Sequence, residues 1–541
     1  MVHTKSISIK LLTLFIFFIS LLHFINLNHV PIFADEAIFL YQADKIIENP
    51  RNLLISLEEA QFPVMTWVLA AVHLATPKFN PLLTGRLLSV LADLLSAFFI
   101  FLIGRKIGNK FSGLLSAALY LSFPLNFFHA RLVLLESLTN FFALSTVYFV
   151  LLAAGNQKFK LKYSLAIFIS SLLAFFTKPL AIVSILPSFL IPIMFSFKEG
   201  FFKMNFRRLA FSYNRFGKTP LSQSGDAGKA RFQASLQNDS KAVESLLKKT
   251  PHFQCGEAYR NILIGILPAI MIIAMVFVLV PNQVLSMHTN QITRSFSLMF
   301  AEFRVNLWKS LFWSRVYLTE PILLFAIICA LWFSLKKNWK IIWLSLWALS
   351  TVAIKSYFIK FFFPRHLFFL AAPIALLAAY GLSNLYQYKK GFVIPLMLLF
   401  LLLPLQKDIK LVLNPKTALV GEERQEFYED WPSGVGLDEI AKNLKSLSDN
   451  KTIYVYVENE PLTAWALPNL FDIGKAEIYP SNDLLWNRES FYKTLQSRLS
   501  KDNLYLILNH YPYLSSDWKF QLINSYPKGP HRTINLYKYT D

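Results

Sequence analysis

Long apolar stretches alternate with short polar segments over the first three quarters of the chain. Eleven stretches approach the roughly 20 residues that a helix needs to cross the hydrocarbon core of a membrane. The first follows Lys5 and Lys10, and its length favours a retained helix over a cleaved signal peptide. We therefore predict eleven transmembrane helices, at 11–28, 82–104, 111–129, 132–154, 161–177, 179–197, 261–281, 320–334, 339–354, 364–384 and 391–407.

The pattern changes after residue 407, because the remaining residues contain no stretch long enough to span a membrane. Helical periodicity in LDEIAKNLKSL and SFYKTLQSRL alternates with the strand-like segments TIYVYVE, NLYLILNH and TINLYKY. We predict an α-helical polytopic membrane domain over 1–407 and a small C-terminal α/β domain over 408–541.

Composition and charge support this division and predict an orientation. Hydrophobic residues make up 54% of the chain and charged residues 16%, which excludes an ordinary soluble protein. The short loops at 105–110, 156–162, 336–340 and 386–390 are basic, so the positive-inside rule places them and the N-terminus in the cytoplasm. The C-terminal domain is then extracytoplasmic, and the protein is a multi-pass protein of the plasma membrane.

The polar insertion at 198–260 lies on the same predicted cytoplasmic side, with 12 Lys or Arg against five Asp or Glu. Together with the formal net charge of +21, it raises the alternative of nucleic-acid binding, but a solvated loop near anionic lipid explains the charge better. We expect membrane lipid and no nucleic acid as a partner. The sequence has no GxGxxG or GxxxxGK[ST] loop, and its two cysteines form no CxxC motif.

The first outer loop brings the first candidate chemistry. Asp35 and Glu36 follow an apolar run directly, and Glu59 lies further along the same loop. We predict an amphipathic interfacial helix over 36–48 and a second interfacial helix over 63–77. A structural alternative for Asp35 is the N-cap of the first of these helices.

Two further charges stand at predicted outer helix ends. Glu136 lies about one turn into an apolar stretch, where a carboxylate is costly and therefore a functional candidate. A structural ion pair of Glu136, for instance with Arg131, is the alternative. Lys178 occupies the short turn between the fifth and sixth predicted spans, and we favour anion binding for it.

A basic cluster marks the outer end of the ninth and tenth predicted spans. Lys355 and Lys360 are interpreted as side chains that reach the lipid headgroups. Arg365 has apolar neighbours on both sides and is a candidate for anion binding, with His366 as a secondary candidate. Acids and bases from distant segments therefore converge on one predicted rim of the membrane domain.

Several motifs in this order resemble the GT-C superfamily of integral membrane glycosyltransferases. The most similar branch contains the protein O-mannosyltransferases and the lipid A aminoarabinose transferases. The resemblance rests on ADEAIFLYQA (34–43), FPVMTW (62–67), the segment 86–137, TKP (177–179), PRHLFFLAAPIALLAAYGL (364–382) and FYEDWPSGVGLDEIAKNL (427–444).

The chain departs from the family pattern at identifiable positions. Phe62-Pro63 stands where the family often has Pro-Pro, Glu136 where an Asp is common, and His366 where a Tyr usually follows the arginine. The insertion 198–260 has no family counterpart. These departures leave the donor sugar and the acceptor open.

The resemblance implies an inverting transfer of a hexose or pentose from a polyprenyl-phosphate donor to an acceptor hydroxyl of a protein, lipid or glycan at the outer membrane face. Asp35 is the expected general base, with Glu36 and Glu136 as supporting acids. Lys178 and Arg365 are expected to bind the leaving phosphate. His366, Arg131 and Glu59 are expected to contact substrate.

Two points stay open at the level of the sequence. A divalent cation that bridges carboxylates and phosphate is possible, but no ligand set is recognisable, so no metal residue is assigned. A membrane transporter or lipid flippase is the alternative function, although transporters place their charges near the bilayer midplane and show repeated halves. A non-catalytic scaffold is a further alternative, and it leaves the charged rim unexplained.

Overall fold

The structure, a computed structural model, describes most of the predicted membrane domain and most of the C-terminal part. The described residues are 2–59, 61–155, 160–191, 260, 262–272, 296–360, 362–487, 489–491, 493, 503–510, 514 and 518–540. The predicted insertion 198–260 therefore lies outside the described residues except for its last position. The same is true of parts of the predicted spans 179–197 and 261–281 and of the helix predicted for SFYKTLQSRL.

The described part of the N-terminal region is helical. Its helices are α1 (Val2–Leu22), α2 (Ala34–Glu48), α3 (Val64–Ala75), α4 (Pro81–Ile107), α5 (Lys110–Ser122), α6 (Pro124–His129), α7 (Leu135–Ala154), α8 (Leu161–Thr177), α9 (Ala181–Ile185), α10 (Ile262–Ile272), α11 (Phe296–Tyr317), α12 (Glu320–Leu335), α13 (Trp339–Phe358), α14 (Ala371–Tyr388) and α15 (Lys390–Leu413). Short 3-10 turns at Leu27–His29, Pro50–Asn52, Ile55–Glu59, Leu186–Phe189 and Pro364–Leu370 connect or extend them.

The helices confirm a mainly α-helical protein with several helices of membrane-spanning length, and they confirm the predicted spans only in part. Within the described ranges, five helical segments are long and apolar enough to cross a membrane, and a sixth is formed if α11 and α12 are counted as one bent span. Four shorter apolar helices accompany them. The total of eleven spans therefore stays a prediction.

Two elements differ from the sequence pattern. The predicted span 111–129 is divided into α5 and α6 at Pro124, which provides no N–H for a continuous helix. Helix α11 was not predicted, because charged and polar residues interrupt its apolar face. It bends by 114° into α12 near Thr319, whose backbone has φ of 62°.

The C-terminal part contains a five-stranded mixed sheet, which confirms the predicted C-terminal α/β element. The strands are β1 (Ile453–Glu458), β2 (Ala476–Ser481), β3 (Leu504–Leu508), β4 (Phe520–Pro527) and β5 (Thr533–Tyr539), in the order β2-β1-β3-β5-β4. Strands β2, β1 and β3 are parallel, and β5 pairs antiparallel with both β3 and β4. Helix α16 (Leu437–Leu447) buries its apolar face against the sheet. Shorter helical turns lie at Pro415–Ala418, Glu422–Arg424, Gln425–Glu429, Pro461–Ala466, Leu467–Leu470 and Asp483–Trp486.

The sheet and the helices are joined through residues 419–434, which we call the strap. An antiparallel bridge pairs Phe33 with Ser433, and the Ala34 N–H donates to the Pro432 carbonyl at 2.9 Å. One hydrophobic cluster contains residues of both α2 and α16. Helix α15 extends six residues past the predicted boundary at residue 407. The division into two domains at that residue stays a prediction.

Candidate active site

Glu36 is held in a fully buried, fully bonded position at the start of α2. Its oxygens accept hydrogen bonds from Arg86 Nε at 2.9 Å and from Arg86 Nη2 at 2.7 Å. They also accept from the backbone N–H groups of Phe33 and Val133 at 3.0 and 2.8 Å. Arg86 in turn donates to three backbone carbonyls of the segment that leads into α2. They belong to Leu27, at 2.5 Å, and to Val30 and Pro31. This forked ion pair fixes the segment that leads into α2 onto α4.

Asp35 lies next to Glu36 but points into different surroundings. Helix α2 begins at Ala34 with Phe33 as N-cap, so the structural alternative of Asp35 as the N-cap is wrong. About 34% of the Asp35 side chain is exposed, and its Oδ2 lies 3.3 Å from Arg365 Nη1. Burial raises the pKa of Asp35 above its ordinary value, Arg365 opposes this shift, and the charge of Glu136 adds to it.

One nitrogen of Arg365 contacts two carboxylates. Its Nη1 lies 3.3 Å from Asp35 Oδ2 and 3.2 Å from Glu426 Oε1. The guanidinium lies over the rings of Phe33 and Phe363, with 5.3 and 5.2 Å to the centroids. Arg365 therefore lies in the 3-10 turn before α14 with its guanidinium directed at the start of α2.

Glu136 and Lys178 form a second ion pair beside Asp35. The Lys178 ammonium donates to Glu136 Oε1 at 2.5 Å, and the Glu136 side chain is almost fully buried. The structural alternative of an ion pair for Glu136 is therefore observed, with Lys178 and not Arg131 as the partner. Both members of the pair act electrostatically on Asp35. The ends of α7 and α8 thus bring a carboxylate and an ammonium to the same place as the start of α2.

His366 and Lys355 complete the basic side of the cluster. His366 Nδ1 accepts the Phe363 N–H at 3.0 Å, which closes the turn that carries Arg365. Lys355 is buried, donates to the His366 carbonyl at 2.7 Å and lies 3.8 Å from the centroid of Phe369. The interpretation of Lys355 as a headgroup contact is therefore wrong.

Two predicted residues lie apart from this cluster. Arg131 donates from Nη2 to the carbonyls of Ile25 and Asn26 at 2.5 and 3.1 Å, and its guanidinium lies over Phe127. Glu59 is exposed at the end of the turn Ile55–Glu59, next to the like charge of Glu58. Neither is brought to Asp35, so their substrate contacts stay predictions.

Sequence reasoning missed two residues of the cluster. Arg86 gives a weak signal, because it is a charge within the first two turns of an apolar helix. Glu426 gives no signal in the sequence, because it lies outside the predicted membrane-spanning stretches in an acidic, loop-like segment. The described residues include no group of three His, Cys, Asp or Glu side chains arranged to hold a metal ion.

The chain is similar to known proteins in sequence over one region and in fold over nearly its whole length. Residues 60–210 match the family model described as dolichyl-phosphate-mannose-protein mannosyltransferase. This region includes Arg86, Glu136 and Lys178 and excludes Asp35 and Arg365. No curated protein matches the chain.

Solved structures extend the similarity. The crystal structure of ArnT from Cupriavidus metallidurans bound to undecaprenyl phosphate is 11% identical and has a TM-score of 0.54, with 97% of this chain and 98% of that chain covered. The chain has the fold of this ArnT structure. Archaeal oligosaccharyltransferase AglB from Archaeoglobus fulgidus, in complex with an inhibitory peptide and a dolichol-phosphate, shares this fold at 11% identity and a TM-score of 0.50, over 93% of this chain and 69% of that chain. Together with the matched family model, these similarities confirm the predicted resemblance to the GT-C superfamily.

Proposed function

We propose that this GT-C protein is an inverting glycosyltransferase that moves a sugar from a polyprenyl-phosphate donor to an acceptor hydroxyl at the outer face of the membrane. The observation that carries the proposal is that the Asp35–Arg365 contact and the Glu136–Lys178 pair, from four separate segments, lie close enough to act electrostatically on one another. The matched family model and the ArnT complex, whose names include a polyprenyl phosphate, support the donor class.

The proposed reaction assigns a task to each side of the cluster. The acceptor oxygen attacks the anomeric carbon while Asp35 takes its proton, and the bond between that carbon and the phosphate oxygen breaks. The lipid phosphate leaves with the bonding electrons. A raised pKa suits Asp35 to proton transfer near neutral pH. Arg365 and Lys178 place positive charge where the leaving phosphate gains negative charge.

Glu36 and Glu136 act on this reaction through other residues. The bonds of Glu36 to Arg86 and to two backbone N–H groups fix the start of α2, so Glu36 positions Asp35 instead of touching substrate. Glu136 holds the Lys178 ammonium toward the cluster. His366 closes the turn of Arg365, and the sugar, the acceptor and the substrate contacts of Arg131 and Glu59 are not assigned.

The substitution Asp35→Asn tests the base. We expect full-length protein in lipid nanodiscs to lose about 10²–10⁴-fold of its transfer rate, because no carboxylate remains to accept the hydroxyl proton. The assay measures release of undecaprenyl phosphate from donors that carry mannose, glucose or 4-amino-4-deoxyarabinose, with a mixture of envelope acceptors.

Asp44→Asn is the matched control, since Asp44 lies on the same helix with 32% of its side chain exposed and pairs with His73 instead of the cluster. It should retain the wild-type rate. An Asp35→Asn protein that transfers sugar at the wild-type rate would remove Asp35 from the base role.

A further inference from the structure

Glu426 reaches the cluster from the strap, which is held on both of its sides. Toward the helices, Lys309 Nζ donates to Glu422 at 2.7 Å, and His129 Nε2 lies 3.0 Å from Glu423 Oε1. Toward the sheet, Lys528 Nζ donates to the carbonyls of Trp431 and Ser433. The strap is therefore anchored independently of Glu426.

The contact of Glu426 with Arg365 is loose compared with a forked pair. Glu426 Oε1 lies 3.2 Å from the same Nη1 atom that faces Asp35, and this nitrogen makes no hydrogen bond of good geometry to any described residue. The other oxygen of Glu426 is buried and also has no hydrogen-bond partner in the described part of the chain. A buried carboxylate normally has its oxygens bonded, so this arrangement is poorly satisfied.

A phosphate would satisfy the guanidinium better than this carboxylate does. Arginine binds phosphate oxygens through two parallel N–H groups, whereas Glu426 offers one oxygen to one nitrogen. The proposed function places the donor phosphate at Arg365, where Glu426 already lies. The phosphate and Glu426 then compete for the Nη1 nitrogen of Arg365, and the phosphate has the advantage of a second N–H contact.

We propose that Glu426 is a displaceable partner of Arg365, which occupies the guanidinium in the empty enzyme and is replaced there by the phosphate of the polyprenyl-phosphate substrate. This inference rests on the proposed function. It means that the strap, through Glu426, controls the affinity of the enzyme for the phosphate. Displacement leaves the strap in place, because its anchors at Glu422, Glu423 and Ser433 do not involve Arg365.

The protonation of Glu426 supports this role. Burial raises the pKa of Glu426 to about 7; Arg365 and His129 oppose the shift, and Asp35 and Glu423 add to it. Near neutral pH the carboxyl group thus changes between an anion that competes for Arg365 and a neutral group that does not.

The test is the affinity of the full-length protein for undecaprenyl phosphate alone, measured in nanodiscs at pH 8 for the wild type and for Glu426→Gln. We expect about tenfold tighter binding to Glu426→Gln, the size of one weak charged hydrogen bond. Between pH 8 and pH 6 the affinity of the wild type should approach that of Glu426→Gln. The change in the affinity of Glu426→Gln over the same range reports the titration of the phosphate itself and serves as the reference. Glu422→Gln, on the same strap, is the matched control and should bind like the wild type.

The outcomes separate this inference from the proposed function. Equal or weaker binding to Glu426→Gln overturns the displacement, and so does a ratio of affinities that does not change with pH. Arg365→Gln and the charge-conserving Arg365→Lys test the phosphate site itself. If both bind undecaprenyl phosphate as tightly as the wild type does, the phosphate is not held by Arg365, and the proposed function loses one of the two cations that it assigns to the phosphate.

Discussion

Arg86 and Arg365 each face one of two adjacent acids at the start of α2. The Arg86–Glu36 pair is forked, with hydrogen bonds of 2.9 and 2.7 Å, and both side chains are completely buried. The Arg365–Asp35 contact is a single approach of 3.3 Å, and a third of the Asp35 side chain is exposed. Neighbouring carboxylates in the sequence therefore occupy very different sites.

This difference indicates that Glu36 holds the fold, whereas Asp35 is available for the proposed chemistry. All bonding capacity of Glu36 is directed at Arg86 and two backbone N–H groups, so no lone pair is oriented toward a substrate. Asp35 has one long contact and open space, and Arg365 has two acids where a phosphate is proposed to bind. Under the proposed function, Glu36 serves stability and Asp35 serves the reaction.

The substitution Arg86→Met should produce the largest loss of stability. It leaves Glu36 buried without its cation, and breaking one side of a buried ion pair costs about 3–5 kcal/mol. The double variant Arg86→Met with Glu36→Met should recover part of this loss. Recovery is incomplete, since the Phe33 and Val133 N–H groups also lose an acceptor.

The measurement is equilibrium unfolding in mixed detergent micelles. Arg315→Met is a suitable control, because the Arg315–Glu320 pair is largely exposed and should contribute little. If Arg86→Met unfolds like the wild type but has lost transfer activity, Arg86 belongs to the reaction and the comparison between the two arginines fails.

The Glu136–Lys178 pair is intermediate between the Arg86–Glu36 pair and the Arg365–Asp35 contact. Its distance is short, but the lysine side chain is partly exposed. The double variant Glu136→Gln with Lys178→Gln keeps a neutral hydrogen bond and removes both charges. We expect undecaprenyl phosphate to bind about 10–150-fold more weakly, the equivalent of a charged hydrogen bond of about 1.5–3 kcal/mol. Thermal stability should change little.

A matched double variant is available on α2. Lys45→Gln with Glu48→Gln removes an exposed pair joined at 2.6 Å and should leave phosphate binding unchanged. Equal affinities of the two double variants would show that Lys178 serves the fold and not the phosphate.

The sequence predicts those members of the candidate site that follow from local pattern. Asp35, Glu136, Lys178 and Arg365 are recognisable as candidates because each is a charge at the end of an apolar stretch, where charge is costly. The strands β1, β3 and β5 followed from their apolar alternation.

The partners of these residues could not be predicted in the same way. Arg86 lies 50 positions from Glu36, and Glu426 lies 61 positions after Arg365, so only the folded chain brings each pair together. Helix α11 was missed because its charges obscure the apolar pattern. Pair formation depends on tertiary packing, which periodicity along the chain does not encode.

The smallest expected effect is on the stability of Asp35→Asn, and its sign distinguishes Asp35 from Glu36. Because the folded protein raises the pKa of Asp35 above the ordinary value of 3.8, the folded state binds this proton more tightly than the unfolded state. The wild type therefore loses stability relative to Asp35→Asn as the pH rises from about 4 through the raised pKa, and the difference then stays constant. Melting temperatures of both proteins between pH 4 and pH 8 measure it. An Asp35→Asn protein that melts below the wild type at pH 8 would place Asp35 with Glu36 among the residues that hold the fold.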